Sequence, residues 1–332
     1  MHDNSAGLNT MRVAIAIFAV VVLYKVNPED CISLQSLLKS YDGVSHDQVR
    51  LEILLFDNTP STHSSWVPPR NVTYYGSNTN VGLAEAYNYA LQVAEESDWL
   101  LTLDQDTTLP PTFMTDLSDA VSVAARDPEV AAIVPQVVGE GRMLSPNYFA
   151  LGAIRRYYPL GYNGIARYGT YAFNSGSLLR IRFLREIGGY NPMFWLDYCD
   201  AYIYARIMRK GMRVYVAGRI QVEHEFSLFD IKNRVSLERY RNIVDAGSAF
   251  WDMEFGVLGG LYYTASLVYR VYKHWRCGDD PGIRCETIKC LKRRLFLSKS
   301  WRLSEWQDDM ARRIAKPASE QREVTRSTRY EA

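Results

Sequence analysis

Cysteine is scarce in this 332-residue chain. There are five (31, 199, 277, 285 and 290), an odd number with no CxxC pair. That argues against a disulfide framework or a zinc site and suits a reducing compartment. Long hydrophobic runs are lacking as well. The apolar stretch VAIAIFAVVVL (13–23) is eleven residues long, too short to span a bilayer. A single basic residue, Arg12, stands directly before it and no A-x-A site follows, so it fits a buried strand better than a signal-peptide core. Net charge is almost absent, at +1, so bulk charge gives no case for nucleic acid, and none is expected as a partner. The charge is local instead: between Arg284 and Arg302 stand seven basic residues and one acidic, Glu286.

What is present is ordinary for a globular protein: 47% apolar and 23% charged residues. The length allows one large domain, or a domain with an appendage. The 23 tyrosines and 7 tryptophans exceed what a minimal core needs. In the first half, apolar strands alternate with helices. VRLEILLFDNT (49–59), NVTYYGS (71–77), DWLLTLDQD (98–106) and VAAIVPQVV (130–138) read as strands. Between them, 81–96 carries Leu83, Ala86, Tyr87, Ala90, Leu91 and Ala94 on one helical face, and 112–127 is a second helix. Such alternation predicts a mostly parallel sheet covered on both faces, with ligands beyond the carboxyl ends of its strands. Residues 147–171, rich in Gly, Tyr, Pro and Arg, read as loop and cleft wall. Helices are expected at 255–275 and, basic and amphipathic, at 287–301. Residues 1–10 and the tail from 316 read as disordered.

The chemistry concentrates at Asp104-Gln105-Asp106, where a buried strand runs into two carboxylates and two threonines. A metal-binding DxD that holds a sugar nucleotide's diphosphate fits these letters. So does the DxDxT of a phosphohydrolase, but that fold normally places its nucleophile on the first strand and needs a later paired-acid motif after another apolar strand. Here three strand-like segments precede Asp104, and no such motif follows. The diphosphate reading asks for an earlier strand-end acid, which Asp57 supplies, and a later carboxylate base, which Asp197 or Asp200 supplies. Capping of a turn and the next helix by Asp104 and Asp106 is the plain structural alternative.

Seven segments, VVVLYK (20–25), ILLFDNTP (53–60), GSNTNVGLAEAYNYAL (76–91), LLTLDQDT (100–107), NSGSLLRIRFLREIGGYN (174–191), FWLDYCDAYIYARIMRKGMRVY (194–215) and EHEFS (223–227), follow one another as in the family 2 inverting glycosyltransferases. The chain resembles most the bacterial rhamnosyltransferases of surface-polysaccharide synthesis, over roughly residues 12–250. The resemblance implies a GT-A fold: a Rossmann-like, mostly parallel α/β sheet flanked by helices, here with a C-terminal helical extension. It implies a nucleotide-binding half at 11–138, an acceptor-binding half at 139–250 and a helical region at 251–315. It places Leu23, Tyr24 and Lys25 along the nucleotide, Asp57 at the base or its sugar, and Asn80 and Gly82 at a helix start suited to a diphosphate. Asp104, with Gln105 between, and Asp106 would hold Mg²⁺ or Mn²⁺, with His224 as a further ligand, although the family's H-x-x-G is replaced by His224-Glu225-Phe226-Ser227. Asp197 is favoured as general base, with Asp200 nearby at the acceptor. Asn174, Ser175 and Gly176 would line the donor-sugar pocket, Trp195 and Tyr198 would wall a sugar face, and Arg241-Asn242 would lie near the acceptor.

The implied activity is metal-dependent inverting transfer of a sugar, dTDP-L-rhamnose being the first donor, to a hydroxyl of a growing cell-surface glycan or lipid-linked glycan. A UDP-sugar such as UDP-galactofuranose is the alternative donor. A phosphohydrolase or a non-catalytic glycan-binding module is the alternative of another class. The expected location is cytoplasmic, or peripheral on the cytoplasmic face of the inner membrane, where Lys292, Arg293, Arg294 and Lys299 would meet headgroups and Leu291, Leu295 and Phe296 would insert. Homodimerisation through the same helices competes with that use.

Overall fold

The computed structural model describes residues 14–315, except 46, 60–65, 140, 151–153, 225–235 and 278–279. The expected disorder of 1–10 and 316–332 lies outside the described residues. The N-terminal apolar run forms β1 (Ile15–Leu23). Next come α1 (Ile32–Tyr41), β2 (Val49–Asp57), β3 (Val72–Gly76), α2 (Gly82–Val93), β4 (Trp99–Asp104), β5 (Thr107–Thr108), α3 (Phe113–Ala124) and β6 (Val130–Gly139). β1 pairs in parallel with β2 on one side and β4 on the other, and β2 with β3. Such strands are buried on both faces, which is why they read as unbroken apolar runs. In β1, Ile17, Ala19, Val21 and Leu23 enter one core with α1 and α3, while Phe18, Val20 and Val22 enter the opposite core with α2. Full burial of each large aliphatic here contributes about 1.5–3 kcal/mol.

The stretch expected to be loop contains short strands. β7 (Arg142–Ser145), β8 (Asn147–Ala150), β9 (Ile154–Tyr157), β10 (Asn163–Ile165) and β11 (Thr170–Tyr171) precede β12 (Ser177–Arg180), α4 (Ile181–Glu186), α5 (Cys199–Arg209) and β13 (Arg213–His224). β8, β9 and β11 form a small antiparallel sheet. β12 inserts antiparallel between β4 and β6, and β13 pairs in parallel with β6. Among the described residues the main sheet has ten strands, its main path running β10-β13-β6-β12-β4-β1-β2-β3. The strand ends of β1, β2 and β4 therefore open on one edge, beside the small sheet and α5.

Four helices follow: α6 (Leu237–Glu254), α7 (Gly256–Arg276), α8 (Pro281–Phe296) and α9 (Lys299–Ala315). The boundary expected at 250/251 falls inside α6, and the basic helix expected at 287–301 divides at Leu297 between α8 and α9. Ser236 caps α6 by accepting the Arg239 N–H. Tyr240, Val244, Tyr263, Leu267, Ile283 and Cys290 form a core among α6, α7 and α8. Glu254, buried at the end of α6, accepts from Arg206 and Arg209 of α5 at 3.0 and 3.1 Å and ties the extension to the sheet half. Arg293 and Arg294 do not face outward together as expected of headgroup contacts. Arg293 pairs with Asp245, and Arg294 is buried on Asp252 at 2.9 Å. Leu291 packs against the helical core, whereas Leu295 and Phe296 are exposed. None of the described helices is long and apolar enough to cross a membrane.

Candidate functional site

The strand ends, α5 and the first two helices of the extension enclose a cleft of about 1730 Å³, more room than a single small ligand requires. β4 delivers Asp104 to its floor because the strand's apolar residues are locked in the sheet up to Leu103 and the chain turns immediately after. The Gln105 side chain accepts the Tyr24 N–H at 2.7 Å, which fixes the β1 and β4 ends to each other. Ser175 donates to one oxygen of Asp104 at 2.5 Å, leaving the other oxygen for a ligand. Asp106 also lines the cleft. β5 then pairs with the end of β13, Thr107 opposite His224, so the His224 backbone stands one register position from Asp106.

At the start of α2, Asn80 accepts the Gly82 N–H at 3.0 Å, and Gly82 has φ +82°, a conformation suited to glycine. The Trp195 carbonyl accepts the Leu83 N–H at 2.8 Å, and a Cβ on Gly82 would sit 2.4 Å from that carbonyl oxygen. The close approach fixes the Trp195 indole over the helix start. Trp195, Asn80, Gly82 and Tyr24 all line the cleft.

Asp197 and Asp200 flank the entry of α5 without sharing its first turn. Tyr198, in the left-handed region at φ +68°, is the residue before the helix, which begins at Cys199. Asp197 is paired with Arg239 of α6 at 2.9 Å. Burial raises its proton affinity above the ordinary carboxylate range, and Arg239 opposes that. Asp200 has no such cation among the described residues. It accepts the Tyr171 hydroxyl at 2.6 Å and the Ala201 N–H at 2.7 Å. Burial pushes its pKa up to about 6; the two hydrogen bonds work against the rise, and Asp104 and Asp197 add to it by repulsion. Asp200 is thus a carboxyl that gives up its proton closer to neutral pH than an ordinary carboxylate does, and it sits within the field of the Asp104 carboxylate.

Not every expected residue reaches the cleft. Leu23 is wholly buried in the core, and its neighbours Val22 and Tyr24 line the cleft instead. Asp57 is buried at the end of β2, its carboxylate accepting the Tyr74 hydroxyl and the Thr59 N–H, both at 2.8 Å; Asn58 is the cleft residue there. Gly176 turns at φ +80°, with the Pro135 ring 3.0 Å from where a Cβ would sit. Asn174 lines the cleft while its carbonyl accepts the Thr102 hydroxyl. Arg241 turns away from the cleft to Glu286 at 2.8 Å, whereas Asn242 faces in. The helix repeat explains the split: 239 and 242 share a face, and 241 lies off it. That repeat is the signal by which Arg239 could have been found. Tyr171, in the Tyr-rich stretch, carried no signal of its own.

The acidic donors suit a hard cation. Asp104 and Asp106 offer oxygen only, as Mg²⁺ and Mn²⁺ prefer. Among the described residues no three His, Cys, Asp or Glu side chains gather into a metal cluster, so phosphate oxygens of a ligand would have to complete the shell.

Residues 34–188 match the family model described as Glycosyl transferase family 2. The match takes in Asp57, the Asp104–Asp106 turn and Ser175, and ends before Asp197 and Asp200. Among solved structures, the crystal structure of GalNAc-T7 with UDP, GalNAc and Mn²⁺ is similar at 14% identity and a TM-score of 0.52, over 91% of this chain and 58% of that one. The crystal structure of S. aureus TarS is similar at 12% identity and a TM-score of 0.50, over 84% of this chain and 55% of that one. The chain thus spans less than two thirds of either. No curated protein matches the sequence. At these identities the likeness is one of fold: a mixed α/β fold with a central, mostly parallel sheet and a helical C-terminal region, as the GT-A expectation has it.

Proposed function

We propose that the protein is a metal-dependent inverting glycosyltransferase. The observation that carries this reading is the meeting, in one cleft, of the strand-end pair Asp104 and Asp106 with Asp200, a carboxyl tuned to about 6. The match of 34–188 to the glycosyl transferase family 2 model and the shared fold support it. Asp104 and Asp106 would hold Mg²⁺ or Mn²⁺ against the donor diphosphate, and the ion would supply charge neutralisation for the departing nucleoside diphosphate. The α2 start, with Asn80 and Gly82, would face the phosphates.

We propose Asp200 as the general base in place of Asp197, which the sequence favours. Asp197 is committed to Arg239, and an adjacent cation weakens a base. Asp200 has a proton affinity close to operating pH, where general-base catalysis is most effective. It would take the proton of the acceptor hydroxyl as that oxygen bonds to the anomeric carbon. The bond from that carbon to the diphosphate oxygen breaks on the opposite face, so configuration inverts. Asp197 and Arg239 would hold the loop around Trp195 and Tyr198, and Asn174 would remain at the donor sugar.

The motif resemblance alone supports dTDP-L-rhamnose as donor and a cell-surface glycan, free or lipid-linked, as acceptor. A UDP-sugar is the second reading, favoured by UDP in the GalNAc-T7 structure of similar fold. The phosphohydrolase reading is weakened by the place of Asp104, which ends the fourth strand rather than the first. We also propose peripheral membrane association. Leu295 and Phe296 are exposed beside Lys292 and Lys299, and Val257, Leu258 and Leu261 of α7 are exposed too.

The test is a thermal-shift panel of dTDP, UDP, GDP and CDP with and without Mn²⁺. Ligand at a hundredfold over its dissociation constant stabilises by about 2.7 kcal/mol. A metal-dependent shift with dTDP, abolished by Asp106→Ala, is expected. A shift with UDP alone changes the donor. No shift with any nucleotide sinks the reading.

A further inference from the structure

Of the carboxylates that line the cleft, Asp104, Asp106, Asp197 and Asp200 lie on the sheet side, and Glu238 and Asp309 come from α6 and α9. Of the cations that line it, Arg239 is answered by Asp197 and Arg313 by Asp309, each at 2.9 Å. Arg155 of β9 and Arg270 and Lys273 of α7 line the same cleft, and among the described residues none has a carboxylate within ion-pair distance. Arg270 is partly buried. Its guanidinium lies 5.7 Å from the centre of the Tyr263 ring, whose hydroxyl and that of Tyr198 both come within 2.7 Å of where a Cβ on Gly247 would sit, and the Arg270 charge opposes the rise that burial gives the Tyr198 hydroxyl. The charge of Arg155, on the small sheet, acts on Tyr198 in the same direction. Lys273 follows Arg270 by three residues, on the same face of α7.

Taking a guanidinium partly out of water without a counter-charge is costly. The cost is met when an anion arrives, and a planar guanidinium beside the Tyr263 ring can grip one through two oxygens. Tyr198 lies between Asp197 and Asp200 in sequence, so a ligand held at Arg270 would extend toward the proposed base. The walls beside the cations are aromatic, with Phe250, Trp251 and Tyr262, a surface for sugar faces or a hydrocarbon.

We infer that Arg270 and Lys273, with Arg155 opposite, form a binding site for an anionic group of the acceptor, a phosphoryl or carboxylate group carried beyond the hydroxyl that reacts. The inference rests on the glycosyltransferase reading only in calling the ligand the acceptor.

The test is calorimetric titration of the full chain in EDTA with four probes: inorganic pyrophosphate, farnesyl diphosphate, galacturonate trimer and neutral maltotriose. At least one anionic probe should bind ten times more tightly than maltotriose, and Lys273→Glu and Arg270→Ala should each weaken it tenfold or more. Arg270→Lys, which keeps the charge, should recover part of the loss. Tightest binding of farnesyl diphosphate would assign the anion to a carrier lipid, and of the galacturonate trimer to an acidic sugar. UDP and dTDP binding with Mn²⁺, measured on the same samples, reports the donor site separately. Nucleotide binding with no discrimination among the probes, or with Lys273→Glu indifferent to them, overturns the anion site and leaves the glycosyltransferase reading standing. Probe discrimination without nucleotide binding does the reverse.

Discussion

Asp200 places opposite demands on folding and on chemistry. Burial raises its pKa to about 6, so the ionised form is held at a cost. A raised carboxyl pKa favours the folded state below the unfolded value of about 4. That contribution is lost as pH rises through 6, and amounts to about 3 kcal/mol at most by pH 8. Asp200→Asn should therefore raise the melting temperature at pH 8 and leave it nearly unchanged at pH 4, read by calorimetry. The same change should lower kcat by a hundredfold or more. In the unaltered protein, kcat/KM should climb tenfold per pH unit below about 6 and level above it. A profile flat from pH 5 to 8, or full activity in the Asn variant, would remove Asp200 from the role of base. At Asp106 the expectation concerns metal: Asp106→Ala should leave the melting temperature without ligand within a degree or two and abolish the Mn²⁺-dependent nucleotide shift.

At the scale of elements, the start of α2 depends on one glycine. Gly82 combines a positive φ with a neighbour, the Trp195 carbonyl oxygen, where a Cβ would fall 2.4 Å away. Gly82→Ala adds strain of about 1–3 kcal/mol and a backbone clash on top. It should lower stability by roughly 2–4 kcal/mol in urea titration. It should also weaken nucleotide binding, because the helix start and the Trp195 loop move together. Element identity was legible where burial was two-sided. β1, β2, β4 and β6 declared themselves as apolar runs between turn residues, and α2 and α3 by helical spacing. The strands between 142 and 171 did not. They are two to four residues long, and they pair with segments up to about fifty residues away, as Asn163 does with Ala217. No local period records such partners.

For the molecule as a whole, Glu254 joins the extension to Arg206 and Arg209 of the sheet half, and the helices of the extension are held to one another through buried charge. Asp252 is nearly wholly buried between Arg294 and Arg302, at 2.9 and 2.7 Å. Removing the carboxylate strands a buried guanidinium, so Asp252→Asn should cost about 3–5 kcal/mol. Pairing it with Arg294→Met should restore part of that loss, as a double-mutant cycle would show; additive losses would mean the pair is not coupled. Legible in the sequence were the long strands β1, β2, β4 and β6 with the helices between them, the placement of Asp104 and Asp106 at and just past a strand end, and the helical nature of the C-terminal part. These are local properties, written in apolar spacing and turn chemistry. Packing between elements decided that Asp197 is answered by Arg239, that Asp200 is buried against Tyr171, that Arg294 points inward and that Arg270 faces the cleft with no carboxylate paired to it among the described residues. Each depends on which distant side chain supplies or withholds charge across a desolvated gap, and that is set by packing between elements rather than by spacing along the chain.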